Sequence, residues 1–313
     1  MSAPRPKLKA VFQTLGHTSA LKDGSVRLPD FELEFEEVPE IIQAFRRMVR
    51  GLEFDVSEMA LTTYLSARAQ RKPFTALPIF LVRAFHHGAI LCNTAQGIRG
   101  PRDLEGRRVG VNRGYTVTTG VWARSILQHE HGVDLSRITW VLSGDEHVAE
   151  FQPPANVVRL ENGKNLRDAL VAGELAATIG VQVAHPDVAP LIPAAQEAGF
   201  RALARDGHYP INHLLVVKDA VLESHPRLAG QLFEAFVAAK RPYLELLQAD
   251  GIAAPTQADA VYRRVLAMTG RDPLPYGIAP NRNMLAALIR YAREQQIVSR
   301  HYEVEELFVA GSA

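Results

Sequence analysis

The 313-residue chain has a single cysteine, Cys92, so no intrachain disulfide can form. Charge of one sign is also missing: 35 Lys and Arg stand against 34 Asp and Glu, a formal net charge of +1. Neither the basic field of a nucleic-acid binder nor that of a membrane-surface protein is present. No run approaches the roughly 20 consecutive apolar residues that a bilayer span needs. The N-terminus, Met1-Ser2-Ala3-Pro4-Arg5-Pro6-Lys7-Leu8-Lys9, is polar and lacks the apolar region and small-residue cleavage site of a secretion signal, which sets a cytoplasmic location as the expectation. GxGxxG, a phosphate-loop lysine, GxSxG, HExxH, HxxxH and a cysteine pair are all absent, so no nucleotide cofactor, serine hydrolase site or metal centre is expected. His129 and His131, two apart on a helix, face different ways and make no chelate. There is no internal repeat or heptad array, and a homodimer is left open.

With 47% hydrophobic and 22% charged residues, the composition is that of a soluble globular chain long enough for two domains with cores. Strand-like and helix-like segments alternate. Leu8 to Thr14 reads as a strand, followed by the loop Gly16-His17-Thr18-Ser19, and Phe31 to Val38 as a half-exposed strand. Ile41, Ile42, Phe45, Met48, Val49 and Leu52 share one helical face. Phe54 to Glu58 reads as a strand running into a helix near Met59, with Ser57 as N-cap and Glu58 in the first turn. Thr75 to Phe80 and His87 to Asn93 are apolar strands, the second burying Cys92 as a core thiol rather than a nucleophile.

Later strands are read at 107–112, 138–142, 156–160, 176–181 and 211–217, and helices at 118–131, 166–172, 225–247, 257–268 and 282–296. The pattern predicts two α/β lobes: residues 1–95 with 213–313, and an inserted 96–212. The chain would cross between them near 93–100 and 212–217, with a ligand cleft where the strand ends converge.

The run Arg108-Val109-Gly110-Val111-Asn112-Arg113-Gly114-Tyr115-Thr116-Val117-Thr118-Thr119-Gly120 is a strand, a loop rich in glycine and hydroxyls, and a helix start. Its free N–H groups and the helix dipole suit a carboxylate or other anion. An ordinary strand-to-helix turn with threonine caps fits the spacing equally well.

Several segments resemble the 4,5-dihydroxyphthalate decarboxylase family, which has a two-lobed type 2 periplasmic-binding-protein-like fold. They are Phe54-Asp55-Val56-Ser57-Glu58-Met59, the run Ala76 to His87, Gly106-Arg107-Arg108-Val109-Gly110-Val111, Val121 to Gln128, and Tyr209-Pro210-Ile211-Asn212-His213. The chain departs from the family's pattern at Asn112 to Thr118 and at Gly144 to Glu150, which leaves the ring substitution of a substrate open.

The resemblance implies cofactor-independent decarboxylation of a hydroxylated, phthalate-like aromatic acid. A small-carboxylate binding protein without catalysis is the alternative. The reaction needs an oriented carboxylate, a polarised ring hydroxyl and a proton donor for the ring carbon. His86, His87 and His213 are the candidate acids, with Glu58 as a base at a strand end. Arg83, in Arg83-Ala84-Phe85-His86-His87, is placed to clamp a carboxylate, although pairing with a surface carboxylate is the structural alternative. If the segment is extended, only one of His86 and His87 faces the cleft. His213, in an apolar strand, needs a hydrogen bond whether it anchors the core or serves the site. Ser57, His17, Asn112, Arg113, Tyr115, Thr116, Thr118, Thr119 and Tyr209 complete the candidate contacts to a small aromatic or carboxylate ligand.

Overall fold

The computed structural model describes residues 4–311. Met1 to Ala3, part of the segment read for a secretion signal, therefore lie outside the described residues. In chain order the elements are β1 Lys7–Val11, α1 Ser19–Lys22, β2 Glu32–Phe35, α2 Ile41–Gly51, β3 Val56–Ala60, α3 Leu61–Ala69, β4 Phe74–Arg83, β5 Ile90–Asn93, β6 Arg108–Val111 and α4 Thr118–His131. There follow β7 Thr139–Leu142, β8 Val157–Arg159, α5 Leu166–Val171, β9 Ala177–Ile179, β10 Val188–Pro190, α6 Ala195–Asp206 and β11 Ile211–Lys218. Four helices close the fold: α7 Asp219–Ser224, α8 Leu228–Gln248, α9 Gln257–Thr269 and α10 Arg282–Glu294.

Two sheets result, in the orders β2-β1-β3-β11-β4 and β10-β5-β9-β6-β7-β8. In the first, β1, β2 and β3 are parallel and β11 runs antiparallel between β3 and β4. In the second, β9, β6, β7 and β8 are parallel, and β5 pairs antiparallel with β9 and β10. This is the two-lobed α/β architecture expected. The carboxyl ends of β1, β3 and β4 and the start of β11 share one edge; β6, β7 and β9 present theirs at Asn112, Ser143 and Gly180.

The chain changes sheets earlier than the apolar pattern suggests. β5 belongs to the second sheet, so the first crossing falls between Arg83 and Ile90 rather than near 93–100. β11 lies wholly in the first sheet from Ile211, which puts the return before it rather than within 212–217. A short apolar run carries no mark of the sheet it joins. A second difference concerns β3. It continues through Ala60 and α3 starts at Leu61, so Glu58 and Met59 are strand residues and Ser57 is no helix cap. All five residues of β3 are buried, because the strand has β1 on one side and β11 on the other.

The apolar face of α2 buries Ile41, Ala44, Phe45, Met48 and Val49, with Ile42 and Leu52 packed partly against the same core. That core joins residues from both sheets and from α10. Trp122 of α4 is fully buried in it, and its indole N–H donates to the Ile211 carbonyl at 3.0 Å. Cys92 is a buried β5 side chain, and burial pushes its thiol pKa up. Among the described residues no helix is long and apolar enough to cross a membrane.

Candidate functional site

Glu58 and His213 are diagonal neighbours across the antiparallel β3–β11 pair, where His213 lies opposite Ala60 and Leu215 opposite Glu58. The His213 Nδ1 stands 2.6 Å from Glu58 Oε1. Gln13, just past the end of β1, donates its backbone N–H to Glu58 Oε2 and its side-chain amide to Oε1, both at 2.8 Å. Glu58 is completely buried. Burial opposes its charge, but the His213 bond and charge and the two Gln13 donors outweigh it and hold the carboxyl below its ordinary pKa. With the carboxylate accepting from Nδ1–H, the imidazole orientation is fixed and Nε2 is left for other work. Nε2 has no hydrogen-bond partner among the described residues, and the His213 side chain is 18% exposed, against 0% for Glu58. Phe45 of α2 packs edge-on to the ring at 5.0 Å.

Three arginines, Arg46, Arg50 and Arg113, gather with His213 around His147. Arg113 follows β6 with φ of 68°, a left-handed backbone that is uncommon for a residue with a side chain and costs of order 1–3 kcal/mol. Its backbone N–H donates to Ser143 Oγ at 2.8 Å. The half-buried Arg113 guanidinium has no ion pair or hydrogen bond among the described residues. Burial lowers its pKa, with the Glu40 charge opposing from a distance. On α2, Arg46 has one partner among the described residues, the Asp145 carbonyl at 3.4 Å, while Arg50 bonds the Glu146 and His147 carbonyls at 2.8 and 3.2 Å. The charges of Arg46, Arg113, Arg50 and His213 all bear on the His147 ring, whose pKa burial and those charges hold down to about 4. A recess of about 110 Å³ is lined by Asn112, Arg113, Thr119 and Gly180, and Gly180, with φ of 80°, brings the chain close to Asn112.

Other expected site residues have partners within the chain. Part of the 112–119 loop is engaged within the chain: the N–H groups of Tyr115 and Thr116, and the Thr116 hydroxyl, donate to the Glu146 carboxylate. Thr118 and the Thr116 carbonyl are bonded by Thr62 at the start of α3. Tyr115 is core, with Arg124 3.8 Å above its ring and Phe151 stacked on it. Asn112 donates to the Gly180 carbonyl.

Among the described residues Arg83 pairs with no carboxylate. Its buried guanidinium holds the Tyr209 carbonyl at 2.8 Å and the Asn281 side chain, which ties β4 to the segment entering β11. Burial pulls its pKa down to about 10. Tyr209 is buried beneath it, the rings and guanidinium 5.3 Å apart. Ser57 is fully buried and donates to the Glu58 carbonyl.

His86 and His87 do diverge. His86 Nε2 meets Asn212 Oδ1 at 3.0 Å, and burial lowers its pKa to about 4, which leaves the ring neutral near pH 7. His87 is fully buried against Glu130 of α4, 3.2 Å from both carboxylate oxygens. Each ring thus has its Nε2 on a partner within the chain. His17 is buried against Tyr243, and its pKa is held down to about 4, first by burial and then by the Lys240 charge. His129 pairs with Glu294 of α10 at 2.7 Å. Among the described residues no group of three His, Cys, Asp or Glu is arranged to hold a metal ion.

No protein-family model matches the chain. A 4,5-dihydroxyphthalate decarboxylase of Comamonas testosteroni is 30% identical over 309 residues, spanning 92% of each chain. The chain belongs to the 4,5-dihydroxyphthalate decarboxylase family. A second family member, the 4,5-dihydroxyphthalate decarboxylase of Pseudomonas putida, is 34% identical over 206 residues, 59% of this chain and 77% of that one.

Solved structures show the same fold at low identity. The aliphatic sulphonate binding protein SsuA of Escherichia coli has a TM-score of 0.57 at 14% identity over 98% of both chains. The alkanesulfonate-binding SsuA of Xanthomonas axonopodis pv. citri, bound to MOPS, has 0.54 at 17% over 98% of this chain and 99% of that one. DSZB, in complex with biphenyl-2-sulfinic acid, has 0.52 at 15% over 99% and 98%.

Against the family resemblance, the residues that sequence reading missed are Gln13, Arg46, Arg50, Glu146 and His147. The arginines sit on the polar face of an amphipathic helix, where nothing in the spacing separates a cleft-facing charge from a solvated one.

Proposed function

We propose that this member of the 4,5-dihydroxyphthalate decarboxylase family removes one carboxyl group, as carbon dioxide, from a hydroxylated aromatic acid with two adjacent carboxylates. The observation that carries the reading is the Glu58–His213 pair: a carboxylate holds Nδ1, the other ring nitrogen has no partner among the described residues, and Arg113, whose guanidinium also has none, acts with His213 on the same His147 ring. Arg113 and Arg46 would hold the substrate carboxylates. A hydroxyl para to one of them pushes electron density to the carbon that bears it. His213 delivers a proton from Nε2 to that carbon. The carbon–carboxylate bond then breaks, its electron pair restores the aromatic ring, and carbon dioxide leaves. Solvent reprotonates Nε2, so one proton is consumed for each carbon dioxide released. While Nε2 carries its proton, the buried Glu58 charge balances the imidazolium. The reaction as written needs no oxidant and no cofactor.

The test is direct. Purified protein is incubated separately with 4,5-dihydroxyphthalate, 3- and 4-hydroxybenzoate and phthalate, and carbon dioxide is measured. Release from the dihydroxylated diacid and not from phthalate supports the proposal, because phthalate lacks the hydroxyl that drives the electron shift. Tight binding of the diacid with no release from any compound would leave the small-carboxylate binding protein as the reading.

A further inference from the structure

The loop that presents Arg113 is held from both sides. On its N–H side, Glu146 accepts from the backbone of Tyr115, from the backbone of Thr116 at 3.1 Å and from the Thr116 hydroxyl at 2.6 Å. On its carbonyl side, the buried Arg124 donates to Tyr115 at 2.7 Å and to Gln295, beyond the end of α10, at 2.8 Å. Gly114 lies flat against the Glu146 carboxylate: a Cβ there would come within 2.5 Å of its oxygen. Any larger residue at 114 would push the carboxylate off the loop. The left-handed backbone of Arg113, directly before this glycine, is the strained element that such a brace has to hold.

The brace is also tied to the other lobe. The backbone carbonyls of Asp145, Glu146 and His147 accept from Arg46 and Arg50 of α2. Thr63 of α3 meets the His147 ring at 3.2 Å. One short loop after β7 therefore touches the Arg113 loop with its side chain and the first lobe with its backbone.

We infer that Glu146 is the positioning residue for Arg113, fixing the 113–116 loop so that the guanidinium stands free in the cleft, and that its contacts with α2 make this geometry a property of the closed lobes. The inference rests on the reading of Arg113 as a carboxylate-binding group. A carboxylate of the chain already takes the Tyr115 and Thr116 N–H groups, which leaves the Arg113 guanidinium as the loop's cationic group without a partner among the described residues.

The experiment uses phthalate as a non-reacting probe and compares wild type, R113A, E146A, E146Q and the double variant R113A/E146A by calorimetric titration, with melting temperature recorded for each. E146A should weaken phthalate binding at least tenfold, and E146Q less, since its amide oxygen still accepts one loop N–H. The double variant should bind no more weakly than R113A alone, because Glu146 acts only through Arg113. If the losses of R113A and E146A multiply, or if E146A lowers the melting temperature while phthalate binds as in wild type, Glu146 is a structural brace and the inference falls. Turnover of 4,5-dihydroxyphthalate by the wild type reads the functional proposal separately, since probe binding does not depend on catalysis.

Discussion

Replacing Glu58 with Gln isolates the charge of the proposed acid–base pair. The carboxylate accepts three hydrogen bonds, two from Gln13 at 2.8 Å and one from His213 at 2.6 Å, with no solvent access. Glutamine keeps one acceptor oxygen for His213 and the Gln13 amide. Its NH₂ then faces the Gln13 backbone N–H, donor against donor, and that buried N–H loses its partner. An unsatisfied buried donor costs about 1–3 kcal/mol, so the melting temperature should fall while the fold persists. On the reaction side, one charge-assisted bond to the proton-carrying imidazole is weakened, a loss of roughly 1.5–3 kcal/mol in the transition state. At about 1.36 kcal/mol per decade this is a fall in kcat of roughly 10- to 150-fold. KM should change little, because Glu58 touches neither Arg113 nor Arg46. The assay is steady-state carbon dioxide release from 4,5-dihydroxyphthalate beside a thermal melt. A folded Glu58→Gln protein with kcat within threefold of wild type would refute the role of the charge.

Acid sensitivity follows from the buried imidazoles. His17 and His86 are each held down to about 4 from 6.5 by burial, so between those values the unfolded chain binds protons that the folded one refuses. Stability should therefore fall as pH drops from about 6.5 to 4, by up to about 3 kcal/mol per histidine. The lowered Glu58 pKa adds a loss below its unfolded value, because stability from a depressed carboxyl disappears as pH falls through the folded pKa. Urea midpoints that are equal at pH 7 and 4.5 would contradict this, and His86→Gln should flatten the dependence. His87→Gln should lower the melting temperature through the lost Glu130 contact yet leave kcat within a few fold; a collapse of kcat at an unchanged melting temperature would return His87 to the list of acids. Chelation and dialysis should leave carbon dioxide release unchanged; loss of turnover restored by one divalent metal would move the mechanism to Lewis-acid polarisation.

The two-lobed fold was legible because amphipathic helices such as α2 and apolar strands such as β11 announce themselves by period and length. The sheet that β5 joins was not, since Ile90 to Asn93 is equally apolar in either. Glu58 and His213 were legible as residue types at strand ends, but their pairing across 155 positions is a product of the β3–β11 register. The 112–119 loop read equally well as a cradle for an anion or as an ordinary strand-to-helix turn. Its occupant, Glu146, is 30 residues from Thr116 and carries no local mark of that role. Arg83 looked like a substrate clamp because a strand-end arginine near histidines fits that pattern, while its partner Asn281 lies in a distant C-terminal segment.

The central claim is tested most directly by single-turnover release of labelled carbon dioxide from carboxyl-labelled 4,5-dihydroxyphthalate, comparing wild type with His213→Gln. The account predicts release by the wild type, a loss of at least about 100-fold in the variant from removal of the general acid, and phthalate binding within threefold of wild type. Equal release by the two proteins, or none by the wild type while it binds the diacid, would contradict it.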